Sequence, residues 1–331
     1  MLSQKLLIIG SSSFAGGCLV NNALNAGFSI KGVSRSNEES PFFQPFYNNI
    51  YFKNYCFHQI DINKQLDELF DLISYFKPTY IVDFAGQGMV AQSWDQSWQW
   101  YTTNLVTKTK LISFLSKCDY LKKYIRISTP EVYGNQGKIL TEDSIYSPST
   151  PYAISHAAID FHLAAMNIHK GFPSVVGRFA NFYGPSQQLY RIIPRTILSI
   201  LGNKKLPLHG GGHSKRSFIF GDDVADGILR MISKGELGAT YHFSSQEHLS
   251  IRGIVKLICQ EMNADFSDLV VETQDRLGKD KNYRISYSET SRKLNWSPNI
   301  SLLEGVRHCI HWVSDNYAEI QGLSLDYVHK E

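Results

Sequence analysis

The sequence predicts an α/β protein: a doubly wound parallel sheet with helices on both faces, followed by a smaller mixed α/β lobe. Three observations predict it. The all-apolar residues 6–9 end at Gly10 in a turn of small residues, and a helical stretch follows. Apolar runs of strand length then alternate with helical stretches to about residue 180, as a parallel sheet requires. Beyond that point Pro185, Pro194, Pro207 and the glycines Gly210, Gly211 and Gly212 break the rhythm. The expected division is residues 1–180 for the sheet domain and 181–331 for the second lobe, the two interleaved.

Taken in order, residues 6–9 read as a strand buried on both faces, and 18–26 as a helix closed by Gly27. Residues 29–33 read as the second strand, completing a strand–turn–helix–strand unit of Rossmann type. Helices are expected at 66–76, 102–116 and 153–169, each followed by a strand, at 80–84, 124–128 and 174–179. The second lobe carries a helix near 193–201, a strand at 240–243, and helices at 251–262 and 302–316.

Composition excludes several classes. The 331 residues carry a net charge of +3 and no basic run, too near neutrality for a protein that coats nucleic acid. Apolar residues at 43% and aromatics at 13% exclude a disordered chain. The five cysteines, Cys18, Cys56, Cys118, Cys259 and Cys309, are scattered without zinc spacing, so no metal is expected and reduced thiols in a cytoplasmic protein are. No apolar run approaches the length of a membrane span. The four apolar residues after Lys5 are too few for a secretory core, which needs about 7–15.

The turn from Gly10 through Ser13, Phe14 and Ala15 to Gly16 joins the first strand to a helix. Small residues there let a backbone approach a pyrophosphate at the helix N-terminus, with Ser13 where a middle glycine is usual. At the end of the second strand, Ser34, Arg35 and Ser36 stand where an acidic residue would hold a ribose 2′-hydroxyl. A basic residue there favours a 2′-phosphate, hence NADP over NAD. Further on, Thr129 and Glu131 follow the 124–128 strand, and Tyr152 and His156 share one face of the next helix at i, i+4. A hydroxyl at a strand end, a tyrosine and a basic partner suit proton transfer at a sugar or alcohol carbon.

These motifs resemble the extended short-chain dehydrogenases/reductases, and most of all the nucleotide-sugar 4,6-dehydratases acting on dTDP-glucose and GDP-mannose. The resemblance runs almost end to end. Asp61 and Ile62 match the family's adenine-contacting position. Ala85, Gly86 and Gln87 match the loop after the fourth strand, and Asn104 the helix asparagine. Thr129, Pro130 and Glu131 fall on the family's Thr-Asp-Glu or Thr-Ser-Glu. Asn181 matches a residue offered to substrate. Arg216 and Arg276, with Arg191, match diphosphate-holding arginines, a role that suits the guanidinium fork. The implied reaction oxidises the sugar at C4 through Tyr152 and Thr129, eliminates water across C5–C6 through Glu131, and returns hydride to C6. The resemblance also implies a nucleotide-diphosphate-sugar substrate and a homodimer formed through the helices at 102–116 and 153–169. Alternatives are a 4-epimerase or UDP-glucuronate decarboxylase of the same fold, or a cofactor-binding regulatory protein.

Two departures fall at the chemistry. Where the family has lysine four residues after the tyrosine, this chain has His156. With an ordinary pKa near 6.5, it would be mostly neutral at pH 7 unless its cation is stabilised, leaving Tyr152 a poorer base. And Pro130 replaces the family's proton-donating aspartate.

Overall fold

The computed structural model describes residues 4–38, 40–274 and 283–330. Its centre is a seven-stranded, all-parallel sheet. From one edge to the other run Thr240–Phe243, Ser174–Phe179, Lys123–Ser128, Tyr80–Asp83, Lys5–Ile9, Ser29–Ser34 and Tyr55–Gln59. The chain winds outward from Lys5–Ile9 in one direction, then returns and winds outward in the other. The order therefore reverses between Lys5–Ile9 and Tyr80–Asp83, the place where such sheets bind ligands at their carboxyl ends. The seventh strand comes from beyond residue 180, so the chain returns to the sheet after entering the second lobe.

The first strand shows why the sheet is covered on both sides. Leu6 and Ile8 face one core with the helices Phe14–Asn25 and Gly221–Lys234. Leu7 and Ile9 face another with Leu66–Phe76, Thr107–Leu115 and Pro151–Lys170. A third core, built on Ile193, Ile197, Ile254, Ile258, Val306 and Val313, holds the second lobe together.

Several local features differ from the sequence expectation. The first helix begins at Phe14 rather than 18, because the Ser13 hydroxyl caps it by accepting from Gly16 N. The helix expected from 102 begins at Ser97 and contains a π turn at Thr102–Val106. The strand Tyr55–Gln59 and the helix Gly221–Lys234 were not anticipated.

Candidate active site

The turn after the first strand is shaped by two glycines. Gly10 sits at φ +90°, where a side chain is strained, and a Cβ there would lie 2.9 Å from Ala85 N. A Cβ on Gly16 would lie 2.2 Å from the Gly10 carbonyl. Ser13 closes the turn: its hydroxyl donates to that carbonyl at 2.7 Å while capping the helix. The second strand is tied in by the Ser34 hydroxyl, which accepts from Ser12 N at 3.0 Å.

Around this turn lies a cavity of about 260 Å³. Nine of the expected cofactor residues line it: Gly10, Ser13, Ser34, Arg35, Asp61, Ile62, Ala85, Gly86 and Gln87. Phe14, Ala15, Gly16, Asn104, Tyr152 and His156 do not, and the Phe14 ring turns into the core, where Cβ atoms on Gly184 or Gly221 would meet it. Ser12 Oγ, on the cavity wall, is buried without a hydrogen-bond partner. A tight glycine turn at a capped helix N-terminus, a basic residue at the second strand's end and an orphaned hydroxyl fit a dinucleotide.

Asn104 is buried behind the cavity. It accepts from Gln87 N at 2.8 Å, donates to Gln87 O at 3.2 Å, and donates to Ser155 Oγ at 3.0 Å. One amide thus ties the 85–87 loop to the helix that carries Tyr152 and His156. It stands in the π turn, a distortion frequent at functional sites.

The expected catalytic residues meet at the carboxyl end of Lys123–Ser128. Thr129 caps the short 3₁₀ turn Pro130–Tyr133, accepting from Glu131 N at 3.2 Å, and its side chain is hydrogen-bonded to Tyr152. Pro151 opens the Pro151–Lys170 helix and Thr150 caps it. The rings of Tyr152 and His156 lie 4.6 Å apart. One turn further, Asp160 accepts from Ser128 Oγ at 2.7 Å and Arg178 at 2.9 Å, which pins the helix to two strands.

Burial and the charge of Glu131 push the Tyr152 hydroxyl above its ordinary range. The Thr129 hydrogen bond and the charges of Arg126 and Arg191 pull the other way. Burial, then the charges of Arg126 and Lys108, hold His156 well below its ordinary value, so the imidazole is neutral. Arg126, which sequence reasoning missed, is therefore part of this site. Its signal was a charge flanked by isoleucines in the middle of a strand.

Of the residues expected to hold substrate, Asn181 accepts from the Tyr283 hydroxyl at 3.0 Å, and the Arg216 guanidinium lies 4.7 Å from the centre of the same ring. Gln87 lines the cavity and Arg191 is exposed at the start of the Ile192–Leu201 helix. Arg276 lies outside the described residues. Lys330, from the far end of the chain, was also missed. It closes the cavity, its carbonyl accepting from Gln87 at 2.8 Å and Arg35 at 3.2 Å, its ammonium donating to Ser36 at 3.1 Å.

The model of the NAD dependent epimerase/dehydratase family matches residues 6–243. The chain belongs to that family. Relatives include the dTDP-glucose 4,6-dehydratase of Neisseria meningitidis serogroup B, 28% identical over 341 residues, covering 95% of this chain and 94% of that protein. The Escherichia coli dTDP-glucose 4,6-dehydratase is also 28% identical, with the same coverage. The fold is shared with family members of both kinds. The dTDP-glucose 4,6-dehydratase of Bacillus anthracis, solved with NAD, superposes with a TM-score of 0.84 at 24% identity, over 96% of this chain and 98% of that one. The UDP-glucose 4-epimerase of Thermotoga maritima gives 0.86 at 23%, over 95% and 100%.

Proposed function

We propose that this chain is a nucleotide-sugar 4,6-dehydratase that uses a nicotinamide dinucleotide. The observation that carries the reading is the convergence of Thr129, Glu131 and Tyr152, with the Glu131 carboxylate close enough for its charge to act on the Tyr152 hydroxyl. A bound nicotinamide supplies the site to which the C4 hydride goes and from which it returns to C6. The Tyr152 oxygen takes the C4 hydroxyl proton, with the Thr129 hydroxyl donating to it. The Glu131 carboxylate then takes the C5 proton, which the C4 ketone has acidified, and the C6 hydroxyl leaves as water. Pro130 offers no proton, so the acid formed at Glu131 delivers the one that the leaving hydroxyl needs. One carboxyl group thus serves as base and then acid; as hydride returns to C6, C5 takes its proton from solvent, and Tyr152 gives the proton it holds back to solvent. Gln87, Asn181, Arg191 and Arg216 hold the nucleotide sugar, with Arg276 as the resemblance implies, and the arginines pair with its diphosphate.

Lining of the cavity by Ser34, Arg35 and Ser36, with Lys330 bonded to Ser36, favours the phosphorylated dinucleotide over NAD. A homodimer through the helices expected at 102–116 and 153–169 is supported by the exposed Val106, Ile154 and Phe161. Among the described residues no helix is long and apolar enough to cross a membrane. Pro130 favours one second reading, a 4-epimerase, which needs no leaving-group acid.

Incubation with a panel of nucleotide-diphosphate sugars tests the reading. Dehydration appears as the alkali-induced absorbance of a 4-keto-6-deoxy product, and Glu131→Gln should lower its rate by about 10²-fold or more. Interconversion of C4 epimers without that absorbance would establish the second reading. Release of carbon dioxide from UDP-glucuronate would make the chain a decarboxylase. Cofactor retained without turnover of any sugar would point to a regulatory role.

A further inference from the structure

The lysine that the family places four residues after the tyrosine supplies a positive charge, and His156 does not replace it. Its Nδ1 faces Arg126 Nη2 at 3.2 Å. A guanidinium has only donors and keeps its proton, so Nδ1 is the acceptor and the ring proton sits on Nε2. The groups around the ring disfavour a further cation. Arg126 approaches from Lys123–Ser128 and Lys108 from Thr107–Leu115, and both charges bear on the imidazole. Tyr152 and Asp160 stand one turn to either side on its own helix. The nearby carboxylate, Asp83, is already engaged by Lys108 at 2.5 Å and by the Tyr124 hydroxyl, while Arg126 stands 3.8 Å away. Asp160 also feels the Arg126 charge but already accepts from Arg178 at 2.9 Å. Both charges that act on the imidazole are positive.

Arg126 is 1% exposed, and its remaining contacts are weak. Nη1 reaches the Asp83 and Ala85 carbonyls at 3.5 Å each, and Nε is buried without a partner. A buried charge so poorly paired is costly unless it serves a purpose. Its charge also acts on Tyr152.

We propose that Arg126 is the positioning residue that moves the missing lysine's charge from the helix to the strand, acting on Tyr152 and locking His156 as a neutral Nε2–H donor. The Tyr152 part of this rests on the dehydratase reading above. The cation near the phenol and the ring N–H donor are thereby divided between two residues.

The test separates this inference from that reading. In protein labelled with ¹⁵N-histidine, the His156 ring should show the Nε2–H tautomer from pH 5.5 to 8.5 in the unsubstituted chain. That measurement needs neither substrate nor variant. Titration of His156 near 6.5, or the Nδ1–H tautomer, would overturn the inference even if the enzyme dehydrates. Arg126→Gln should raise the Tyr152 pKa, read by ¹³Cζ-tyrosine NMR, and move the basic rise of kcat upward by about one pH unit. That is about a tenfold loss at pH 7. KM for the sugar should change by less than about twofold, since no arginine of the diphosphate set is touched. His156→Lys alone should lose activity, because it adds a cation beside Arg126 and Lys108, and combination with Arg126→Gln should restore it. A fully active His156→Lys single variant, or an Arg126→Gln variant with an unmoved pH profile, would also overturn it. If Arg126→Gln does not fold, Arg126→Lys serves: it keeps the charge and should keep the pH profile. Absence of sugar turnover together with the expected tautomer and Tyr152 shift would defeat the dehydratase reading and leave this inference standing.

Discussion

At the scale of single residues, the site depends on polar groups that lose more when orphaned than they gain when paired. Asn104 is the clearest case. Asn104→Ala removes three hydrogen bonds and strands the Gln87 amide in a buried setting. It should cost about 1–3 kcal/mol of stability and weaken dinucleotide binding, measured by denaturant unfolding and fluorescence titration. His156 gives a pH prediction whose sign is fixed by its depressed pKa. The folded state binds fewer protons than the unfolded chain, so the stabilisation is present above about pH 6.5 and is lost as pH falls. Stability should therefore fall from pH 7.5 to pH 5. Urea midpoints of His156→Gln should be less acid-sensitive than those of the parent chain over that range. Thr129, Glu131 and Tyr152 were legible because strand ends and helix starts can be read locally. Arg126 was not: its importance depends on Asp83, Lys108 and His156, which only the folded sheet brings beside it.

At the scale of elements, legibility followed burial. The first strand, covered on both faces, is readable as an unbroken apolar run over 6–9, and Ser174–Phe179 and Thr240–Phe243 fall where expected although each carries polar residues. Tyr55–Gln59 lies at the sheet edge, where one buried residue is followed by polar and half-exposed ones, so no run marks it. Gly221–Lys234 opens on glycine and two aspartates, which masks a regular apolar stripe through Val224, Ile228 and Ile232. The first helix starts four residues earlier than the pattern suggests because Ser13, in the expected phosphate turn, is its N-cap. Ser13→Ala should therefore lower stability by about 1 kcal/mol and also weaken dinucleotide binding, whereas a cap alone would affect only the first. On the Pro151–Lys170 helix, Phe161 is 59% and Ile154 43% exposed. Ile154→Glu with Phe161→Glu should give a monomer by sedimentation velocity, with the far-UV circular dichroism unchanged.

At the scale of the whole molecule, the last residues of the chain join its two halves across the cavity. Asp326 stands 3.8 Å from Arg195, and Tyr327 packs edge-on against Tyr190, both contacts to the second lobe. His329 stacks on Trp100 and is hydrogen-bonded to Gln99 at 2.5 Å, at the start of the helix that carries Asn104. Lys330 then ties Gln87, Arg35 and Ser36 together. Nothing in residues 320–331 marks such a role, since the partners lie more than 100 positions away; the motif-by-motif resemblance ends near residue 316. The geometry separates two effects. The backbone carbonyl of Lys330 bridges two residues of the cavity wall, whereas its ammonium adds a second cation beside Arg35. Removing residues 326–331 should therefore speed release of either dinucleotide. Losing two or three hydrogen bonds, each worth about 1 kcal/mol, implies about tenfold or more in the release rate. Lys330→Ala keeps the carbonyl and should leave NADH release within about twofold, while weakening NADPH selectively and making its binding less sensitive to salt. Stopped-flow fluorescence of both dinucleotides at two ionic strengths distinguishes the outcomes. Equal effects of Lys330→Ala on NADH and NADPH would show that the ammonium does not face the 2′-phosphate.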